Sequence, residues 1–344
     1  MCKNKQTIDK KRITQPALVL VALLLDLNTV GTDSTWVTHT SGTTADLLAG
    51  FLLPSSSVEG WVVGEQDTIL HSSDNGESWS PRPTGLGSAY TWHGVRFFTP
   101  THGWVVGSNM TAAYTSDAGA SWNVSYTSPG SGQSLYAVLG VAMDSVHVVG
   151  DGGAVLHTTD SGGSWTSQSS GTAARLTGGQ FITNLTGYLT GEAGALLKTT
   201  DAGATWTATS SPATSALRAL YFDPVGSTRW IPGEWVSGPQ TVLTNGWVGG
   251  DEGMFFTSDG GDTWQPQTGC RAEPEGVASL AMTSERVGWS LGASGTLCYT
   301  VTGGNTWIQG AEGAFSSTMY ALVMNELTKQ IKLVGAAGGV VSFA

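Results

Sequence analysis

The feature that most constrains this chain is a phrase it repeats. Residues 158–165 read Thr-Thr-Asp-Ser-Gly-Gly-Ser-Trp, the pattern [ST]-x-D-x-G-x-[ST]-W. Full copies recur at 72–79, 115–122, 199–206 and 257–264, and a sixth, ending at Trp307, carries Thr302 where the aspartate belongs. Short apolar segments of matching form stand upstream, among them Gly60-Trp61-Val62-Val63-Gly64, Gly103–Gly107, Gly187–Gly191, Gly246–Gly250 and Gly288–Gly292.

A repeat at a fixed period outranks other sequence signals, because one unit alone cannot bury its apolar face and must stack on its neighbours. The box tryptophans stand at 36, 79, 122, 165, 206, 264 and 307, at spacings of 43, 43, 43, 41, 58 and 43. Each period holds four strand-like runs: an inner one (Leu217–Phe222 type), the Gly-Trp-Val-Val-Gly run, one of the Ile69–Ser72 type, and one leaving the box tryptophan. Four strands at this period describe a propeller blade. The expected fold is therefore all-β, a seven-bladed β-propeller of four-stranded blades. The two ends of the chain agree with it. Trp36 has no inner strands before it, while 320–324, Ile331–Gly335 and 339–343 have no terminal tryptophan after them. Residues 35–40 are expected to supply the outer strand of the last blade, closing the ring and removing sheet edges.

The box is expected on the turn between a blade's third and fourth strands. An aspartate there accepts bonds from the N–H groups of its own turn, glycine supplies positive φ, and the tryptophan is a large plate to bury between blades. Five such carboxylates on five blades cannot attend one substrate. Asp74, Asp117, Asp160, Asp201 and Asp259, with Trp79, Trp122, Trp165, Trp206, Trp264 and Trp307, are read as structural.

Composition supports one large all-β domain: 344 residues with 48 Gly, 14 Trp and 12% charged residues. Residues 1–31 stand apart from the propeller, which is assigned 32–344. Lys3, Lys5, Lys10, Lys11 and Arg12 precede an apolar run at 17–25, too short to span a bilayer but suited to a signal-peptide core. The expectation is export. Removing residues 1–12 takes the net charge from −11 to −15, since they carry five cations and one aspartate. A surface that acidic argues against nucleic acid and against direct binding to an anionic membrane. Of Cys2, Cys270 and Cys298, the last two remain after export, as a disulfide or as two thiols. Asn109, Asn123 and Asn184 begin N-glycosylation sequons.

The 58-residue spacing marks an insertion between the inner and second strands of the fifth blade, on the face that carries the box turns. It holds Arg229, Trp230, Glu234 and Trp235. Loops with aromatics and charges are where a rigid scaffold places function; the alternative is a hairpin packing its own tryptophans onto the blade. The six histidines make no metal-ligand spacing, and His71, His147 and His157 occupy repeat positions held elsewhere by aromatics or lysine. No metal and no cofactor is expected.

The unit from Val149 to Trp165, with Gly187 to Trp206 and Gly246 to Trp264, resembles the repeat of the photosystem II stability/assembly factor family. The resemblance covers residues 33–344. It implies a non-enzymatic, lumenal or periplasmic propeller, secreted in a non-photosynthetic host, that binds a protein partner such as a reaction-centre subunit or its precursor. Members present arginines on inner strands near one face of the ring. Here Arg96, Arg175 and Arg218 are the three near inner strands, where other blades offer Ala49, Ala137, Ser279 or Ala321. These arginines and the inserted loop are the expected partner contacts, on a monomer.

The competing class is a secreted Asp-box glycoside hydrolase, sialidase or glycan-binding propeller. A sialidase-type site needs three arginines, a tyrosine paired with glutamate, and an aspartic acid; a two-carboxylate hydrolase needs an acid/base pair. Asp144, Glu192, Asp251 and Glu252 sit at turns that the repeat register explains equally well. A cluster of Arg, Tyr and carboxylate at the channel mouth, away from the box turns, would distinguish this class.

Overall fold

Each period of the sequence lays down one four-stranded antiparallel sheet. The structure is a computed structural model and describes residues 36–53, 58–140, 142–222, 229–231, 234–236, 245–268, 276–282, 286–292, 295–310, 318–324 and 331–343. The proposed signal segment lies outside them. Blade I comprises Leu47–Leu52, Gly60–Gly64, Ile69–Ser72 and Ser80–Pro81, and blade II comprises Trp92–Phe97, Gly103–Gly107, Thr111–Thr115 and Asn123–Tyr126. Blades III to VI repeat the order from inner strands Leu135–Gly140, Leu176–Phe181, Leu217–Phe222 and Val277–Met282.

Blade VII is built from both ends of the chain. Met319–Met324, Ile331–Gly335 and Val340–Phe343 are its first three strands, and Trp36–His39 pairs antiparallel with Val340–Phe343 as its fourth. Each inner strand packs beside the next, and that of blade VII returns to that of blade I. The expected seven-bladed ring, closed by an N-terminal outer strand, is the observed one.

Burial follows strand order. All five residues of every second strand are buried, whereas the outer strands of blades I, IV, V and VI are exposed. The inner strands converge, so their third positions hold only Ala, Gly or Ser: Ala49, Gly94, Ala137, Gly178, Ala219, Ser279 and Ala321. At Gly94 a Cβ would lie 2.6 Å from the Tyr136 carbonyl oxygen of the next blade. Neighbouring blades are linked by backbone bonds at their ends, such as Asp67 N–H to the Tyr90 carbonyl at 2.8 Å and the bridge between Ser108 and Ser134, and by side chains. Gln180 donates to the Phe222 carbonyl at 3.1 Å and accepts the Phe222 N–H at 2.8 Å. Ser279 bonds the Leu322 backbone in the same way.

In five blades the second residue of the second strand slides, as a plate, beneath the next blade's box. Trp104, His147, Tyr188, Trp247 and Lys332 lie against Gly162, Gly203, Gly261, Gly304 and Gly76 respectively. That is the second reason for glycine there: a Cβ would strike the plate, within 2.4 Å of His147 Nε2 at Gly203. The aromatic plates also pack against their cross-strand partners, as in Trp61–His71 at 5.0 Å, Trp104–Tyr114 at 5.3 Å and His147–His157 at 3.9 Å. The histidines at these positions are structural stacking partners.

The box tryptophans are less buried than expected. Trp206 and Trp307 are buried, while Trp79, Trp122, Trp165 and Trp264 are half-buried, because the second-strand plates fill the space between blades first. Trp92 takes the first inner-strand position held elsewhere by Leu47, Leu135, Leu176 or Leu217. It is fully buried, and its Nε1 donates to Asp67 at 2.9 Å. Cys298 is buried in blade VI and disulfide-bonded; its partner lies outside the described residues.

Candidate functional site at the entry face of the ring

Two faces of the ring differ in construction. On the box face, each turn carries two successive positive-φ residues, Asn75 and Gly76 in blade I, or Ser161 and Gly162 in blade III. The carboxylate then collects its own turn: Ser164 N–H donates to Asp160 Oδ1 at 2.9 Å, Ser164 Oγ to Oδ2 at 2.7 Å, and Thr158 Oγ1 to Oδ1 at 2.8 Å. The Ser164 bonds, backbone first, and the Thr158 hydroxyl hold Asp160 at about 2. Asp201 is held at about 2 by the Thr205 hydroxyl and N–H. Carboxylates so occupied have no catalytic freedom. In the sixth copy Thr302 Oγ1 accepts the Thr306 N–H at 3.0 Å, a hydroxyl standing in for the carboxylate.

The opposite face is where inner strands begin, here called the entry face. In blades I to V and VII the residue after the second strand donates its N–H to the carbonyl of the residue before the inner strand, as Asp151 to Ser134, Glu192 to Arg175 and Asp251 to Ala216. Immediately beyond, every inner strand breaks register between its first and third residues. The extra residue of such a bulge leaves the alternation and is re-aimed. Around the ring these residues are Leu48, His93, Tyr136, Thr177, Arg218, Ala278 and Tyr320.

The bulges bring chemistry together across blades II to V. The His93 and Tyr136 rings lie 4.8 Å apart, and the Arg175 guanidinium sits 4.9 Å from the Tyr136 ring centre. Three side chains from three successive blades thus form one stack. Arg175 Nε donates to Asp151 Oδ1 at 2.6 Å and Nη1 to Glu192 Oε1 at 3.2 Å. The two carboxylates differ in role: Asp151 is 16% exposed and also accepts the Ser134 N–H at 2.8 Å, whereas Glu192 is 50% exposed. Burial, and then the charge of Asp151, raise the Tyr136 phenol. Burial lowers His93, which stays neutral near neutral pH. In the next blade Arg218 pairs with Asp251, while Glu252 accepts the Thr214 hydroxyl and the Thr214 and Ser215 N–H groups. Those bonds, the Thr214 hydroxyl first, hold Glu252 at about 2.

The sequence-predicted residues therefore divide between two faces. Arg175 and Arg218 share the entry face in adjacent blades. Arg96 is the fifth residue of its inner strand, toward the box face, with its guanidinium 5.8 Å from the Phe51 ring centre and 5.4 Å from that of Phe98. His93 is the second residue of the inner strand of blade II, whereas His102 lies in the connection beyond that strand's far end, just before Gly103–Gly107, bonded to Thr99 and Thr101. The insertion emerges on the box face and contains a hairpin, Arg229–Ile231 paired with Glu234–Val236, in which Trp230 stands opposite Trp235. Sequence reasoning missed Tyr136, Asp151 and Tyr320. The one available signal was a polar or aromatic residue at the second place of successive inner strands.

The comparisons with known proteins fall on the same region. A family model described as photosynthesis system II assembly factor YCF48 matches residues 82–232, the span from the end of blade I to the hairpin. This stretch resembles the photosystem II assembly factors. The ring as a whole matches a solved structure of YCF48 bound to a D1 peptide, with TM-score 0.72 and 21% identity over 91% of this chain and 97% of that one. YCF48 from Cyanidioschyzon merolae matches with TM-score 0.68 and 17% identity, over 90% of this chain and 98% of that one. These likenesses show the propeller fold. No curated protein matches the sequence.

Proposed function

We propose that this chain is a non-enzymatic, protein-binding propeller of the photosystem II assembly-factor type, exported from the compartment where it is made. Its client is a reaction-centre subunit or its precursor. The observation that carries this reading is the Arg175–Tyr136–His93 stack with Arg218 beside it. A rigid entry face of arginines and rings lies across blades that the family model also matches, and a related propeller has been solved with a D1 peptide. The chemistry suits an extended peptide. Arg175 is fixed by Asp151, and its bond to exposed Glu192 is the exchangeable one, so a client carboxylate would replace Glu192 rather than Asp151. A neutral imidazole and a phenol then offer hydrogen bonds and ring faces beside it.

One observation favours the glycosidase alternative, the presence of Arg, Tyr and carboxylate together at the ring mouth. Against it, among the described residues Arg175 alone stands at Tyr136; Arg218 is paired with Asp251, and Arg96 lies toward the far end of its strand. The test is purification of the tagged protein from its native host with gentle cross-linking, alongside a sialoside and glycoside hydrolysis assay. Recovery of a reaction-centre subunit that is lost in Arg175→Ala supports the proposal. Hydrolysis abolished by Tyr136→Phe would overturn it.

A further inference from the structure

The seam between blade VII and blade I is the one place where the plate under a box is a lysine. Lys332 is 2% exposed, and its Nζ donates to Glu77 Oε1 at 3.2 Å in the box turn of blade I. The closing strand brings a second base to the same carboxylate. His39, 8% exposed, has Nδ1 3.6 Å from Glu77 Oε2 and Nε2 2.7 Å from Ser342 Oγ.

The groups facing His39 are few. Strand Ile331–Gly335 presents Lys332, the box turn presents Glu77 and, farther off, Asp74, and Val340–Phe343 presents the Ser342 hydroxyl. One nearby carboxylate thus serves two bases. A proton added to His39 in place would put a second cation beside buried Lys332, whereas a released strand would carry that proton in water. The strand itself is weakly tethered: its four residues pair on one edge only, with Val340–Phe343. Burial and then Lys332 already disfavour the charged imidazole, the electrostatics expected of such a site.

We propose that this seam is an acid-sensitive latch: proton uptake at His39 releases strand Trp36–His39 and leaves blade VII three-stranded. The closed ring is favoured above the free imidazole's pKa and loses that advantage as the pH falls below it, because only the released state then binds the proton. Acidification would open the propeller at one defined edge while blades I to VI stay paired. That unpaired edge is a strand-binding template.

The test is hydrogen exchange of the full chain at pH 7.5 and 5.5, corrected for intrinsic rates. Protection of the amides at 36–39 should fall roughly threefold or more beyond that of outer strand Asn123–Tyr126. His39→Gln, which keeps a partner for Ser342 but does not titrate, should abolish this excess. Glu77→Gln, at an exposed position, keeps an amide oxygen for Lys332 but removes the charge that favours protonated His39 in the closed ring, and should shift the release to higher pH. Equal protection changes in the two strands, or an excess that survives His39→Gln, would overturn the latch. If His39→Gln fails to fold, an unshifted release in Glu77→Gln would overturn it as well.

Discussion

The guanidinium of Arg175 lies 4.9 Å from the centre of the Tyr136 ring, one blade back along the chain. A cation held over a ring in a partly desolvated place contributes about 0.5–2 kcal/mol, and here it also fixes the direction in which the arginine can donate. Blades III and IV are therefore joined at the entry face by the same group that is proposed to meet the client.

Arg175→Lys is expected to be a poor substitute. A point ammonium cannot bond Asp151 and Glu192 together while lying flat on Tyr136. Affinity for a client peptide, read by titration calorimetry, should fall about tenfold or more. Tyr136→Phe keeps the ring face and should retain most of the binding, while Tyr136→Leu should lose it together with the arginine's order.

The sixth box offers a gain rather than a loss. Thr302 already occupies the aspartate's position, where its one neutral oxygen accepts the Thr306 N–H and shares a 3.0 Å bond with the Thr306 hydroxyl. Asp160 instead meets the two Ser164 donors with two charged oxygens, which makes each bond stronger. Thr302→Asp should raise Tm by about 1–2 °C. A lower melting point in differential scanning calorimetry would contradict that account of the box.

Much of this architecture is legible in the sequence. The period gives the blade count, the box gives the turn, and the unmatched Trp36 gives the closure, because each is set by local residues repeated in register. The entry face is less legible. A bulge costs one residue and erases the alternation that would otherwise reveal facing, so LYAVLG and WHGVRF do not declare that Tyr136 and His93 meet. The spread of the arginines was hidden for the same reason. Arg96 and Arg218 both lie on inner strands, yet one is the fifth residue and the other the second, so they stand toward opposite ends. Lys332 shows the converse case: it breaks the plate rule of the second strand, and its meaning depends on His39, brought from the other end of the chain by ring closure.

Acid should destabilise the protein over a broad window. His39, His93, His147 and His157 are all held below the ordinary imidazole value, in each case first by burial, with His147 down at about 3. Below about pH 6.5 the unfolded chain takes up protons that the folded one refuses. Their contribution is full above that value and is lost as the pH falls, for His147 on the order of a few kcal/mol by pH 3. Asp160 and Asp201 lose theirs only as the pH drops below about 4 toward 2. Tm measured from pH 8 to 4 should decline from about pH 6.5, and His147→Tyr, the residue found at the equivalent Tyr188, should shallow the slope.

Removing the closing strand is a harsher perturbation than protonating it. Deleting residues 36–39 strips the ladder partner from Val340–Phe343 and takes His39 from Ser342 and Glu77. The deletion should lower Tm sharply and expose an edge prone to pairing with other chains. A truncated protein that melts with the parent and stays monomeric by light scattering would show that closure contributes little.

The two-faced distribution of candidate contacts makes a prediction about coupling. Arg175 belongs to the entry face, whereas the hairpin carrying Trp230 and Trp235 leaves blade V at the box face. Replacing both tryptophans by alanine should weaken partner binding with little change in Tm, because the hairpin is paired to itself and not to the blade's four-stranded sheet. Sites that share no partner perturb binding independently. The loss in the combined variant with Arg175→Ala should therefore equal the sum of the separate losses to within about 0.5 kcal/mol. A large departure from additivity would mean that one client element spans both faces. No effect of the tryptophans at all would confine recognition to the entry face and leave the hairpin a structural insertion.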